Sequence, residues 1–207
     1  MGVKLYGMAG SPNVRGAMLG LDEKGVDYEL IDVAPPFNAP EHLERNPFGR
    51  VPVLEHDGFV LYETQAILRY LDQAFEGQAL QPTDAAEAAR MNQILGIIDC
   101  YLFESWSGVI GFERLIATRF FGRPCNLERV EAAVPVASRC AEALEALITA
   151  PYLTGETYSL ADIRLMPHFD WLRLTPEGVA ILAGKSRLVQ WFQQVSERPS
   201  AKKVLRQ

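Results

Sequence analysis

A chain of 207 residues, 48% hydrophobic and 22% charged, can hold one large domain or two small ones and needs neither disulfides nor metals to build a core. Its net charge of -6 speaks against nonspecific binding to nucleic acid or to an anionic membrane, and we find no apolar run of the ~20 residues that a spanning helix needs. Cys100, Cys125 and Cys140 lack metal-ligand or Cys-x-x-Cys spacing, so we read them as reduced structural thiols of a cytoplasmic protein and expect no metal.

In chain order, the segment from Met1 enters a strand pattern at Val3 to Gly7, with no basic leader of the signal-peptide kind. A helix follows over Pro12 to Lys24, with Val14, Ala17, Met18 and Leu21 on one face, and then a strand over Asp27 to Val33. After a Pro-rich loop, Pro35 to Pro40, come a short helix near Glu41 to Arg45, two short strands around Val53 and Val60, and a helix from Thr64 to Phe75. Asp57-Gly58 between the strands is a hairpin signal. The order βαβαββα is that of an α/β thioredoxin-like sheet. We place this domain at residues 1–76, a linker of Gly, Gln, Pro and Asp at 77–84, and an all-α helical domain at 85–207.

In that second domain Ile94, Ile97, Ile98, Tyr101 and Leu102 follow an i, i+3, i+4 face, as do Val130, Ala133, Val134, Ala137, Ala141, Leu144 and Ile148. Pro135 is expected to kink the latter helix. Ser159-Leu160-Ala161-Asp162 reads as a capping box with Asp in place of Glu or Gln. A last helix is expected near Ser186 to Val195, ended by Arg198-Pro199.

Three places carry chemistry. Pro52 precedes an apolar strand and cannot donate to a ladder, so it belongs at the strand's start, where it turns the Val51 backbone outward. An outward N–H and C=O can pair with an extended peptide as with an added strand. Glu63-Thr64 puts a carboxylate and a hydroxyl at a helix start, where free N–H groups favour anions. Ser11-Pro12 starts the first helix, and there Ser11 reads equally as an N-cap or as an available hydroxyl.

Asn46 to Leu54, Glu63-Thr64 and Ser159 to Asp162, in this order, resemble the soluble glutathione transferases over nearly the whole chain, in a bacterial-like member with a serine-type, phi- or theta-like site. The resemblance implies that the sheet domain holds glutathione as co-substrate, that the helical domain supplies an electrophile pocket, and that two chains form a homodimer. Ser11 then stands where the serine classes place the hydroxyl that bonds the glutathione sulfur, and Asn13 offers a second donor. Glu63 and Thr64 fall to the γ-glutamyl end, and Val51 with Pro52 to the cysteinyl amide. Arg50 stands where the family more often has Gln or Lys and suits the glycyl carboxylate. Asn38 is a departure in a loop that usually carries basic or aromatic residues. Met8, Phe37, Trp106, Ile110, Phe112 and Phe120 are the expected pocket side chains, and Phe48 the residue that docks into a partner subunit.

The chemistry is within reach of one hydroxyl. A thiol of pKa about 8.5 has to fall by about 1.5 to 2 units to be mostly thiolate at neutral pH, some 2 to 3 kcal/mol. A hydrogen bond to a charged acceptor contributes about 1.5 to 3 kcal/mol and a helix N-terminus about 0.3 to 1. The resemblance implies transfer of glutathione to small hydrophobic electrophiles. Two alternatives stay open: a disulfide or peroxide reductase, since Ser-x-Asn also resembles the Thr-x-Asn pair of reducing members, and a noncatalytic member that binds a protein partner.

Overall fold

A computed structural model describes residues 2–149 and 151–205. Contacts divide the chain into two units, one of Met1–Gln81 with Arg198–Gln207, the other of Pro82–Glu197.

The first unit runs β1 (Val3–Tyr6), α1 (Pro12–Glu23), β2 (Tyr28–Ile31), α2 (Pro40–Arg45), β3 (Val53–His56), β4 (Phe59–Tyr62) and α3 (Thr64–Ala74), the expected βαβαββα order. The strands lie β2-β1-β3-β4, with β1 and β2 parallel and the other pairs antiparallel. Asp57 and Gly58, at φ 50° and 85°, make the turn between β3 and β4, and His56 pairs with Phe59 across it. Both central residues have φ > 0, as a type I′ hairpin turn requires. Leu5, Val53 and Leu54 from the sheet, Val14, Ala17, Met18 and Leu21 from α1, and Ile67, Leu68 and Leu71 from α3 are fully or nearly fully buried. The two helices pack closely at Gly20, where a Cβ would stand 2.5 Å from Leu68 Cδ2.

The register does the positioning. Tyr6 lies opposite Val53, and Val53 opposite Tyr62. The end of β1, the start of β3 and the end of β4 therefore meet at one end of the sheet. From these three strands the segments Gly7–Ser11, Val51-Pro52 and Glu63-Thr64 flank this end, beside the loop that follows Ile31 of β2.

Residues 198–207, expected in the helical domain, belong to the first unit. The helix expected from Ser186 ends at Ser196, ahead of Arg198-Pro199 as expected, and Pro199 then occupies the first turn of a further helix, α10 (Pro199–Val204), as its fixed φ allows. Ala201 and Val204 of α10 are fully buried, the Arg198 guanidinium donates to both Glu23 carboxylate oxygens at 2.8 and 2.6 Å, and Ser200 donates to the same carboxylate.

The second unit begins with a helical rod: α4 (Ala85–Ile97) continues through Ile98–Ile116 with wider π-type turns into α5 (Ala117–Phe121). By length and composition this rod could cross a membrane. Its apolar face is buried instead, with Ile94, Leu95, Ile98, Leu102, Trp106 and Ile110 at no more than 1% exposure, and it packs on α6 (Leu127–Leu147) and α7 (Leu160–Leu172). α6 runs through Pro135. α8 (Pro176–Leu182), which the sequence reading had not assigned, and α9 (Ser186–Ser196) complete the unit.

Candidate functional site

Ser11 occupies the N-cap position of α1 with Pro12 in the first turn, yet its side chain makes no capping hydrogen bond. Its backbone is fully used: the N–H donates to the Met8 carbonyl at 2.9 Å and the C=O accepts from Arg15 at 2.9 Å. The hydroxyl is thus carried on a fixed backbone and left uncommitted at the positive end of a helix. Asn13, two residues on and half-buried, has a buried Oδ1 with no hydrogen-bond partner. Such an orphan is uncommon in folded proteins.

The Val51–Pro52 peptide bond is cis, and Val51 stands just outside the ladder that starts at Val53. Val51 and Pro52 are both buried residues. The third segment turns sharply out of β4 at Glu63, whose φ of 69° and ψ of 112° are outside the regions open to ordinary L-residues. Such a backbone costs on the order of 1 to 3 kcal/mol and persists only where surrounding structure enforces it. Glu63 is the exposed N-cap residue of α3, without a side-chain capping bond, and Thr64 is buried in the first turn. Thr64 is therefore not the N-cap.

Arg50 and Asn38 are exposed, and Phe37, at φ 62°, is half-buried. Met8 is half-buried on the turn before Ser11. In the second unit Trp106 and Ile110 are fully buried, and Trp106 donates from Nε1 to the Ala137 carbonyl at 3.1 Å. Both are core residues of that unit rather than walls of an open pocket, because they lie on the packed face of the rod. Phe112 is half-buried against Phe121, with ring centroids 5.5 Å apart, and Phe120 is 58% exposed. Of the cysteines, Cys100 is exposed, Cys125 half-buried and Cys140 buried.

Sequence reasoning missed three supports of the site. Arg15, only 7% exposed, donates from Nε to the Ala9 carbonyl at 3.1 Å and so braces the turn that carries Ser11. A charged residue among the apolar positions of α1 was the available signal. His42 and Asn46, both 2% exposed, converge on the carbonyl oxygen of Arg50: His42 Nε2–H donates at 3.1 Å and Asn46 Nδ2–H at 2.8 Å. Asn46 Oδ1 also accepts from the Phe48 N–H at 3.1 Å. Their i, i+4 spacing alone reads as a solvated helix face. Tyr6, at the end of β1, is not an available hydroxyl, since it donates to Glu55 Oε2 at 2.7 Å; burial, and then this bond, push its pKa up. Among the described residues no group of three or more His, Cys, Asp or Glu is gathered as for a metal ion.

One end of a thioredoxin-like sheet thus carries a serine hydroxyl without a capping bond, a cis-proline and a strained acidic residue, and a helical unit follows in the chain. The family models agree on both halves: residues 1–73 match the N-terminal domain of glutathione S-transferase and residues 128–194 its C-terminal domain. The chain belongs to the glutathione S-transferase family. It is 35% identical to glutathione S-transferase 4 of Zea mays, over 98% of this chain and 91% of that one. Among solved structures it resembles glutathione transferase F7 from Populus trichocarpa, with a TM-score of 0.88, 28% identity and coverage of 99% and 98%. It also resembles glutathione S-transferase-I bound with lactoylglutathione, with a TM-score of 0.85, 29% identity and the same coverage.

Proposed function

We propose that this glutathione transferase activates its co-substrate with the Ser11 hydroxyl, which donates to the glutathione sulfur and holds it as thiolate for attack on a small hydrophobic electrophile. The observation that carries this reading is the Ser11 side chain at the N-terminus of α1 with no capping bond. A helix-starting serine normally spends its oxygen on the helix, a contribution of about 1 kcal/mol, and this one does not. The orphan Oδ1 of Asn13 marks an amide able to serve a ligand, and its amino group is the second donor toward sulfur.

The tripeptide is read along the sheet end. Glu63 and Thr64 take the γ-glutamyl group, which offers a reason for the strained backbone at Glu63. The Val51 backbone beside Pro52 pairs with the cysteinyl amide in the manner of an added strand. Arg50, exposed and permanently charged, takes the glycyl carboxylate, with Asn38 at most an uncharged neighbour. Of the side chains named from sequence for the electrophile, Met8, Phe37, Phe112 and Phe120 keep some exposure, and such apolar surfaces suit varied hydrophobic ligands. Phe48, 67% exposed, supports a homodimer in which that ring is buried against a second copy. A cytoplasmic setting, without nucleic acid or membrane as partner, suits the acidic chain and its unpaired cysteines.

The test is an ultraviolet titration of enzyme-bound glutathione across pH, in wild type and Ser11→Ala. The wild-type thiol should ionise about 1.5 to 2 units below its free value, and the variant should lose that shift. A bound thiol that ionises at its free pKa in the wild type rules the reading out. Reduction of a dithiol-exchange substrate without conjugate formation would assign the reductase activity instead.

A further inference from the structure

We infer that His42 is a positioning residue for glutathione, acting through the Arg50 carbonyl on the Val51 N–H. This rests on the reading that Val51 pairs with the cysteinyl amide. The Arg50 C=O and the Val51 N–H belong to one peptide unit, and that unit is not among the cis bonds. In a trans peptide the oxygen and the hydrogen point in opposite directions, so whatever fixes one fixes the other. Two donors from one side of the chain, His42 Nε2–H at 3.1 Å and Asn46 Nδ2–H at 2.8 Å, hold the oxygen toward α2 and thereby aim the Val51 N–H away from it.

The chemistry of the imidazole makes His42 more than packing. A carbonyl oxygen only accepts, so Nε2 carries the proton, and in the neutral ring Nδ1 is left as a bare acceptor. That Nδ1 is buried without a partner, an arrangement that buried polar atoms normally avoid. Apolar packing alone would not call for a polar ring here, with one nitrogen unsatisfied. The ring lies 6.3 Å from that of Phe37, and the Phe37 carbonyl leaves so little room at Gly49 that a Cβ there would approach it to 3.0 Å. α2, the Phe37 turn and the Asn46–Arg50 turn therefore form one braced body, and His42 is its second tie to the peptide that meets the ligand.

His42→Phe keeps an aromatic ring and removes the donor, whereas His42→Gln places an amide N–H at a reach similar to Nε2. Glutathione binding is measured by calorimetry, and kcat and both KM values with a model electrophile. For His42→Phe, the glutathione Kd and KM should rise about threefold to tenfold, with the electrophile KM and kcat within about twofold. His42→Gln should recover most of the loss. Wild-type binding with an unchanged glutathione KM in His42→Phe overturns this inference alone. A parallel loss of kcat and both KM values in both variants also overturns it, in favour of a folding role. No glutathione binding by the wild type overturns it together with the reading on which it rests.

Discussion

Among the described residues two helices, α1 and α7, have a serine at the N-cap, and the two serines have been put to opposite uses. At α7, the Asp162 carboxylate accepts from the Ser159 N–H at 2.8 Å and from its hydroxyl at 2.9 Å through one oxygen, and from the Leu153 N–H at 3.0 Å and Trp191 Nε1 at 2.7 Å through the other. Both residues are at most 1% exposed. At α1 the serine hydroxyl is uncapped and the neighbouring Asn13 Oδ1 has no partner. A polar group whose every bond is returned by the protein serves the fold, and one left open has capacity for a ligand. The same contrast separates a second pair. His168 and Ser107, 2.7 Å apart through Nδ1, have the look of a nucleophile and its base. Arg164 donates to the other ring nitrogen and also to Asp99 at 2.8 Å. With Nε2 so occupied, Nδ1–H donates to Ser107, and the imidazole has no lone pair left to take a proton.

Three measurements would break or sharpen this contrast. The largest effect is expected at Asp162: Asp162→Ala leaves four donors without an acceptor in a buried site and should cost about 4 kcal/mol of stability by denaturant unfolding. A loss under about 1 kcal/mol would mean the network is replaceable. Next is the pH dependence of His168. Burial, and then the Arg164 charge, hold its pKa well below 6.5, so below about 6.5 the unfolded chain binds a proton that the folded one refuses. Stability should therefore fall with pH through that window, by at most about 1.4 kcal/mol per unit, and thermal midpoints of His168→Gln should fall less steeply. A wild-type slope no steeper than the variant's would show the ring charged in the fold. Smallest is the paired alanine test. Ser159→Ala should cost about 1 kcal/mol, whereas Ser11→Ala should change stability by no more than about 0.5 kcal/mol while abolishing the thiol shift. Equal losses would return Ser11 to a capping role.

How much of this was legible in the sequence differs between residues for physical reasons. The β-period of Val3 to Tyr6 and of Val53 to Tyr62, the Asp57-Gly58 turn and the Ser159–Asp162 cap are local patterns, and they predicted the elements that formed. Ser11 was legible as a residue but not as a role, because a capping serine and a free one have the same neighbours in sequence. Trp106 and Ile110 continue the spacing of four that Ile94, Ile98 and Leu102 set on the packed face, so the pattern marked them as core, and they were misplaced because large apolar side chains alone do not tell a pocket wall from a core position. His42 was hidden for a related reason: its partner, the Arg50 carbonyl, is a backbone atom and leaves no mark on residue type. α10 was missed because proline marks both the end of one helix and the first turn of the next.

The return of α10 to α1 also sets an order of events at the ribosome. The segment that supplies Arg198 to Glu23 and the buried Ala201 and Val204 is made after the entire second unit. The first unit can form its sheet early, but one flank of α1 stays uncovered until the final helix emerges. Until then that flank is transiently exposed surface of the kind that makes incomplete chains prone to aggregate.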